Sequence, residues 1–357
     1  MTDNKYNVVV DSIGTSNAAN CIAFAVKHNL NPNEFIRQVF KSPSIIKSGL
    51  DKRTADELVK QLEFFGIRSR INDAVSNPEL VNLYDLSVHI QDMADLDKTC
   101  LILSSILGAD PDQILKMISA PGGLVLGEVS ENNILDIQAQ LENCAVELLW
   151  RNKETSKYDV FVSANNQALL KQIELAIGLA LDPMPDGGGF IRGLEFDKAQ
   201  IIWNKLRAVA GTVIINQAFL RWDVILTNAS QSEFDKVAFC ELTGIPKNYV
   251  EAILQNTPII VADAVQNDIC DDLIEGLTHA GCDVSAELIS FKSFKIRIEN
   301  GNNPAQTTRT LNALGLDVDL VASQLPQCLP MNFSYFDGRR LCATLKSNGI
   351  NAEMENA

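Results

Sequence analysis

Histidine is nearly absent, with three residues in 357, and none of the eight cysteines falls in a CxxC pair. A structural zinc site needs closely grouped nitrogen and sulfur ligands. The scattered Cys21, Cys100, Cys144, Cys240, Cys270, Cys282, Cys328 and Cys342 point instead to reduced, buried thiols, and no metal is expected. No apolar run approaches the roughly 18–20 residues that a membrane-spanning helix requires, so no membrane insertion is expected. The first residues, MTDNKYNVVV, lack a basic stretch followed by an apolar one. A signal peptide is therefore not expected, and a cytoplasmic location is. Positive charge is also short: 30 Lys and Arg stand against 45 Asp and Glu, for a net charge of −15. Nucleic-acid binding rests on a basic surface that displaces counterions, so no nucleic-acid partner is expected. The acidic balance suits basic protein partners. Catalytic signatures are missing as well. No GxSxG, HExxH, GxGxxG or P-loop spacing occurs, and His28, His89 and His279 fall in three separate stretches. The chain is expected to have no catalytic set, to bind no cofactor and not to be an enzyme.

What is present is repetition. The length implies more than one core, and 46% apolar residues imply a folded chain. From Tyr6, a β-branched run over Val8–Val10 is followed by helical spacing at Cys21, Ile22, Ala25 and Val26, and a second short helix fits between Pro32 and Pro43. A short strand "SIIKSGL", a helix with apolar positions Ala55, Leu58, Leu62 and Phe65, and a strand after Gly66 complete the order β-α-α-β-α-β. The same order returns from Leu86, Tyr158, Trp222 and Ser293, with Gly281 and Gly349 placed after their last helix leucines as Gly66 is. The expected organisation is α+β: five tandem repeats over residues 1–72, 84–151, 158–217 (shortened), 218–290 and 291–357. Each is expected to form a three-stranded antiparallel sheet with helices on one face.

The third repeat departs from the rest. Where the others carry a second helix, it reads "LALDPMPDGGG", which proline and glycine prevent from being helical past Pro183. The spacing is wrong for a phosphate loop, and Asp182 and Asp186 are more in keeping with a turn than with a metal site. Two readings stay open: loop erosion, or a notch that admits a partner or a neighbouring repeat. On the second reading the candidate partner-binding residues are Pro183, Met184, Pro185, Gly187, Gly188 and Gly189. Phe64, beside Phe65 and Gly66, and Trp150 join them as aromatic side chains suited to interfaces. Trp203 reads as a core residue. The stretch "DAVSNPELVNL" after the first repeat is the longest connection, so the first repeat is expected to be the most mobile. The short connections "QAFL" and "SFK" are expected to fix the last three against one another.

The order and landmarks resemble the C-terminal domain of the bacterial ribosomal stalk protein family, whose fold is shared by the Clp-protease adaptor family (a ClpS-like α/β sandwich). The first repeat supplies Val8–Val10, Leu30, Pro43, Ile46, Gly49, Ala55, Leu58, Leu62, Gly66 and Ile67 in that order. The fourth supplies Gly244, Ile245, Pro258, Leu273, Leu277 and Gly281. The stalk family recruits translational GTPases through a basic patch on its first two helices. The corresponding span here carries only Lys27 and Arg37, and the family's glycine-lysine signature is missing, so that role is not transferred. Repeat arrays present extended binding surfaces. The leading expectation is a non-enzymatic interaction scaffold or adaptor within a larger assembly, taking basic or helical protein segments. An accessory factor that recruits a GTPase or a Clp ATPase, and an enzyme with a site between repeats, are the alternatives.

Overall fold

The computed structural model describes residues 5–74, 81–163, 166–184, 187–229, 234–301, 304–316, 318 and 326–357. It is a mixed α+β structure in which internal contacts define two compact units, Met1–Thr155 and Ser156–Ala357.

The first unit holds β1 (Tyr6–Ser12), α1 (Ala18–Lys27), α2 (Pro32–Phe40), β2 (Ser44–Leu50), α3 (Lys52–Phe64) and β3 (Arg68–Asp73). These are followed by β4 (Leu83–Ile90), α4 (Leu96–Leu107), α5 (Pro111–Ser119), β5 (Leu124–Ser130), α6 (Glu131–Gln140) and β6 (Val146–Asn152). Each half forms a three-stranded antiparallel sheet with its first strand in the middle, β2-β1-β3 and β5-β4-β6. Local chemistry sets the helix starts. The side chains of Asn17, Asn31 and Asp51 cap α1, α2 and α3, and Asp110 with Gln113 forms a capping box on α5. Pro32 and Pro111 occupy the first helical position, where no backbone hydrogen bond is lost.

The second unit holds β7 (Lys157–Val162), α7 (Gln167–Ile177), β8 (Asp182–Pro183), β9 (Gly189–Glu195), α8 (Phe196–Leu206) and β10 (Thr212–Asn216). Next come β11 (Arg221–Ala229), α9 (Lys236–Thr243), α10 (Val250–Gln255), β12 (Ile259–Gln266), α11 (Asn267–His279) and β13 (Cys282–Leu288). The last elements are β14 (Ser293–Gly301), α12 (Pro304–Ala313), β15 (Gln327–Cys328), β16 (Phe333–Ser334), α13 (Tyr335–Ser347) and β17 (Ile350–Asn356). Its sheets are β10-β7-β9-β8, β12-β11-β13, and β14 paired with β15, β16 and β17, all antiparallel. Among the described residues no helix is long and apolar enough to cross a membrane.

Cores form where alternate strand residues meet the apolar helix stripes. In the β7 sheet, Tyr158, Val160 and Val162 pack with Ile173 of α7 and with Ala199, Ile202 and Leu206 of α8. In the β14 sheet, Ile296 and Ile298 pack with Leu311, Leu341, Leu345 and Ile350. The opposite side of β7 is covered as well: Phe161 stacks on Phe190 and on Phe291, with ring centroids 5.2 and 4.2 Å away.

One irregularity recurs in four of the sheets. Beside the first strand's aromatic residue, the second strand carries an extra residue, between Tyr6 and Val8, Tyr84 and Leu86, Tyr158 and Val160, and Trp222 and Val224. The second residue of each bulge is left-handed: Gly49 (φ 70°), Glu128 (56°), Gly193 (69°) and Ala264 (50°). Opposite each bulge lies an Asx side chain: Asn7, Asp85, Asp159 or Asp223, all buried. Asn7, Asp159 and Asp223 accept a hydrogen bond from the backbone N–H of Gly49, Gly193 and Ala264 at 3.3, 2.9 and 3.0 Å. The fifth sheet has Lys295 at this register, and there the second strand is broken into β15 and β16.

Several expectations are corrected. "LALDPMPDGGG" is not simply a missing helix: Asp182 and Pro183 pair with Phe190 and Gly189 as an added edge strand, and Gly187 and Gly188 (φ 93° and 92°) turn the chain. "MNFSYF" is not one strand, because α13 already begins at Tyr335, capped by Ser334, and β15 supplies the other half of the pairing. The expected second helix of the last repeat, "LDVDLVASQLPQCLP", lies largely outside the described residues. The thiols are not uniformly buried either. Cys328 is exposed, and Cys240 and Cys342 are intermediate.

The Asx clip is testable at Asp159, whose carboxylate also accepts from Gln217 at 2.8 Å. Burial pushes its pKa up against the opposing hydrogen bonds, so the ionised form weakens folding increasingly as pH rises through the carboxylate range. In urea titrations at neutral pH, Asp159→Ala is expected to cost about 1–3 kcal/mol by stranding the Gly193 N–H. Asp159→Asn, which keeps the acceptor and drops the charge, is expected to be neutral or stabilising.

Candidate functional site

The most elaborate polar arrangement among the described residues lies inside the first unit, where α6 meets the end of β1. Asn133 has no solvent exposure. Its Oδ1 accepts from the Ile13 N–H at 2.7 Å. Its Nδ2 lies 2.9 and 3.1 Å from the Val39 and Phe40 carbonyls and 3.0 and 2.8 Å from the Ser42 and Ser130 hydroxyls. One turn on, Asp136 accepts from the Gly14 N–H at 2.7 Å and pairs with Arg68 at 2.9 Å. Gln140 donates to the Gly14 carbonyl at 3.1 Å. Thus one helix flank, at spacing i, i+3, i+7, reads the main chain of a turn more than 90 residues away. Gly14 must be bare: a Cβ there would stand 2.3 Å from the Gly66 carbonyl oxygen, and its φ of 62° is left-handed.

An ion-pair bridge flanks this junction. Glu128, the left-handed bulge residue of β5, accepts from Lys41 at the end of α2 and from Lys153 after β6. These bonds lower its pKa to about 2, the Lys41 bond contributing most. A non-glycine residue in this conformation is strained, and here the strain coincides with a cross-sheet ion pair. The long connection after Asp73 was expected to leave the first sheet the most mobile. Instead the two sheets of the first unit share a buried, hydrogen-bonded junction, because contact chemistry rather than tether length sets how segments associate.

The equivalent flank of α3 is differently placed. Counting from the caps Asp51 and Ser130, the buried stripe Ala55, Leu58, Leu62 corresponds to Ile134, Ile137, Leu141. Thr54, Glu57 and Gln61 therefore match Asn133, Asp136 and Gln140. These three line a cleft of about 260 Å³ with an apolar floor that includes Phe24, Ile46 and Leu58. At its rim His28 Nε2 is 2.9 Å from Gln61 Oε1. Phe64 continues this flank and is 85% exposed, edge-on to Phe65.

The sequence-predicted partner residues do not form one site. Pro183, Met184, Gly187, Gly188 and Gly189 lie together on the β8–β9 hairpin; Pro185 lies outside the described residues. Met184, Gly188 and Gly189 are buried. Phe64 sits at the end of α3 and half-buried Trp150 on β6. Trp203 is half-buried, with its indole N–H on the Thr212 carbonyl at 3.3 Å. The histidines stay apart. His279 Nδ1 donates to the Glu275 carbonyl of its own helix, and His89 lies opposite Glu147 in the β4–β6 ladder. Among the described residues no group of three or more His, Cys, Asp or Glu side chains is placed to hold a metal ion. Burial pushes the Cys21, Cys270 and Cys342 thiols up to about 11, away from the reactive thiolate at neutral pH. Asn133, Asp136 and Glu128 were not singled out in the sequence. The available signal was polar residues at i, i+3, i+7 beside an apolar stripe, a pattern shared by any solvated helix face. No family model matches the chain, and no curated protein matches it.

Asn133→Ala is expected to cost about 2–4 kcal/mol, since it strands the buried Ile13 N–H and the Phe40 carbonyl and removes one of the donors to the Val39 carbonyl. Differential hydrogen exchange should show deprotection concentrated at residues 13–14 and 39–42. Because the Glu128 pKa is depressed in the folded state, its contribution is fully present above about pH 4.5 and is lost as pH falls toward 2. Glu128→Gln is expected to flatten that acid limb in stability measurements while leaving the neutral-pH fold intact.

Proposed function

We propose that the chain is a non-enzymatic protein-interaction scaffold, built from five tandem copies of one β-α-α-β-α-β module, the third of which has exchanged its second helix for an edge hairpin. The repeated reading is supported by the central placement of each sheet's first strand and by a bulge opposite a buried Asx at one register in four sheets, clipped by a hydrogen bond in three of them. The similarity in element order to the stalk and adaptor domains belongs to the same reading.

The observation that carries the functional part is the α6 junction. A helix flank there recognises another segment's main chain through Asn133, Asp136 and Gln140. Main-chain recognition places few demands on the partner's side chains, so one docking mode can serve different partners. Exposed apolar residues on several helices add contact surface: Val26 on α1, Leu101 on α4, Leu175 on α7 and Ile201 on α8 are 62, 61, 84 and 58% exposed.

Affinity purification of the full chain from its native cell, followed by quantitative mass spectrometry, tests this. The expected result is a small set of proteins recovered at near-stoichiometric ratios and lost with Val26→Asp/Leu101→Asp or Leu175→Asp/Ile201→Asp. Recovery of the chain with no protein at stoichiometric level, or partners indifferent to every one of these substitutions, would overturn the reading.

A further inference from the structure

Helix α7 is apolar on two opposite sides. Seven of its eleven residues are Ala, Leu or Ile, yet it buries only Ile173, where α1 buries four residues and α4 five. Leu169, Leu170 and Ile177 pack with Ile173 on the β7 core. The other side carries Ala168, Gln172 and Leu175, all exposed, with Ala176 beside them. Leu175 is 84% exposed, and Leu179, just past the left-handed Gly178 cap, is 42% exposed. Lys171 is the one charged residue on this side, whereas α3 turns Arg53, Glu57 and Lys60 outward. A helix that is apolar all round is ordinarily covered all round.

We propose that this outer stripe is a self-association site, at which two copies of the chain pair α7 with α7, antiparallel, about a two-fold axis. Its positions, 168, 172, 175 and 179, are separated by four, three and four residues, the spacing of a helix–helix seam. That spacing reads the same in both directions, so the stripe complements itself when one helix is reversed, as an isologous contact requires. Gln172 then faces the partner's Leu175, and Ala168 faces the partner's helix end, where Leu179 stands. Charge fits the same arrangement. The chain carries −15 overall, but the seam holds no ionisable side chain, and Glu174 is engaged elsewhere, its Oε1 accepting from the Leu181 N–H at 2.9 Å. Reversal brings Lys171 beside the C-terminal end of the partner's helix, whose carbonyls carry partial negative charge, and keeps it from its own equivalent. A seam of about three turns buries less than the roughly 1,000 Å² that a stable interface clears, so the dimer is weak and reversible. This inference goes beyond the scaffold reading, which concerns other proteins, and does not depend on it.

Sedimentation equilibrium of the full chain, from about 5 to about 500 μM, tests the site at about 150 mM salt, where repulsion between whole molecules is screened beyond about 8 Å. The expected result is a monomer–dimer equilibrium that stops at the dimer, with a Kd on the order of 100 μM. Leu175→Asp is expected to leave only monomer. Gln172→Leu, on the seam, is expected to tighten the dimer at least about fivefold, and Gln167→Leu, equally exposed but off the seam, to leave it unchanged. All three positions are exposed, so an unchanged urea midpoint shows that the fold is intact in each variant. A chain that stays monomeric throughout, assembly that continues past the dimer, a dimer indifferent to Leu175→Asp, or tightening by Gln172→Leu no greater than by Gln167→Leu overturns the proposal. Such a failure leaves the scaffold reading on its own test, because a monomer can still hold other proteins together.

Discussion

A carboxamide removed entirely from water has to find its partners within the protein, and Asn133 does so by spanning two sheets. Its acceptor takes the Ile13 N–H, and its donors are shared among the carbonyls and hydroxyls at the α2–β2 corner and the N-cap Ser130. The Ile13 N–H and the Phe40 carbonyl would otherwise require solvent or another partner, whereas the Val39 carbonyl also takes the Ser42 N–H and the Ser42 hydroxyl also donates to the Asp11 carbonyl. Separating the β1 sheet from the β4 sheet breaks the Asn133 bonds to Ile13, Val39, Phe40 and Ser42 together, while the Ser130 contact stays within its own half. The junction therefore has one register, and the salt links of Asp136 and Glu128 reinforce a position that the amide already fixes. This is the sense in which buried polar groups add specificity beyond what apolar packing supplies.

The clipped bulge solves a related problem within each sheet. A left-handed residue in the second strand leaves an N–H that cannot join the ladder, and the buried Asx side chain opposite takes it up in the β1, β7 and β11 sheets. Where the Asx is absent, at Lys295, the strand is interrupted rather than bulged. The bulge is then free for other use. Gly49 and Gly193 accept the conformation at little cost, whereas Glu128 accepts strain and places its carboxylate between Lys41 and Lys153. A feature that ends regular pairing in one sheet thus serves association between sheets in another.

Much of the element order was legible in the sequence because it depends on local chemistry: caps at Asn17, Asn31 and Asp51, prolines at first helical positions, and apolar stripes such as Ala55, Leu58, Leu62. The Asx positions were also in plain view, in "YNV", "YDL", "YDV" and "WDV". They passed unremarked because an acidic residue inside a strand reads as solvent-facing until its partner N–H is placed. The hairpin at Asp182–Phe190 was missed because two paired residues carry no periodicity. The α6 flank was missed for a stronger reason. Asn133, Asp136 and Gln140 acquire their meaning from Gly14 and Phe40, roughly a hundred positions earlier, and no local window contains both sides.

The same non-local logic bears on how small sheets associate. A segment of about 65 residues buries too little apolar area to be more than marginally stable alone, so each gains by docking to another. Docking through the main chain of a turn, rather than through a particular set of side chains, lets segments diverge in sequence while keeping the contact. Outward positions, such as Phe64 and Leu175, take no part in that contact. If the flank that holds the first unit together is the general docking face of this fold, the segments whose flank is not engaged internally are the ones exposed to partners. The apolar cleft beside α3, flanked by an unburied phenylalanine, is the described example of that condition.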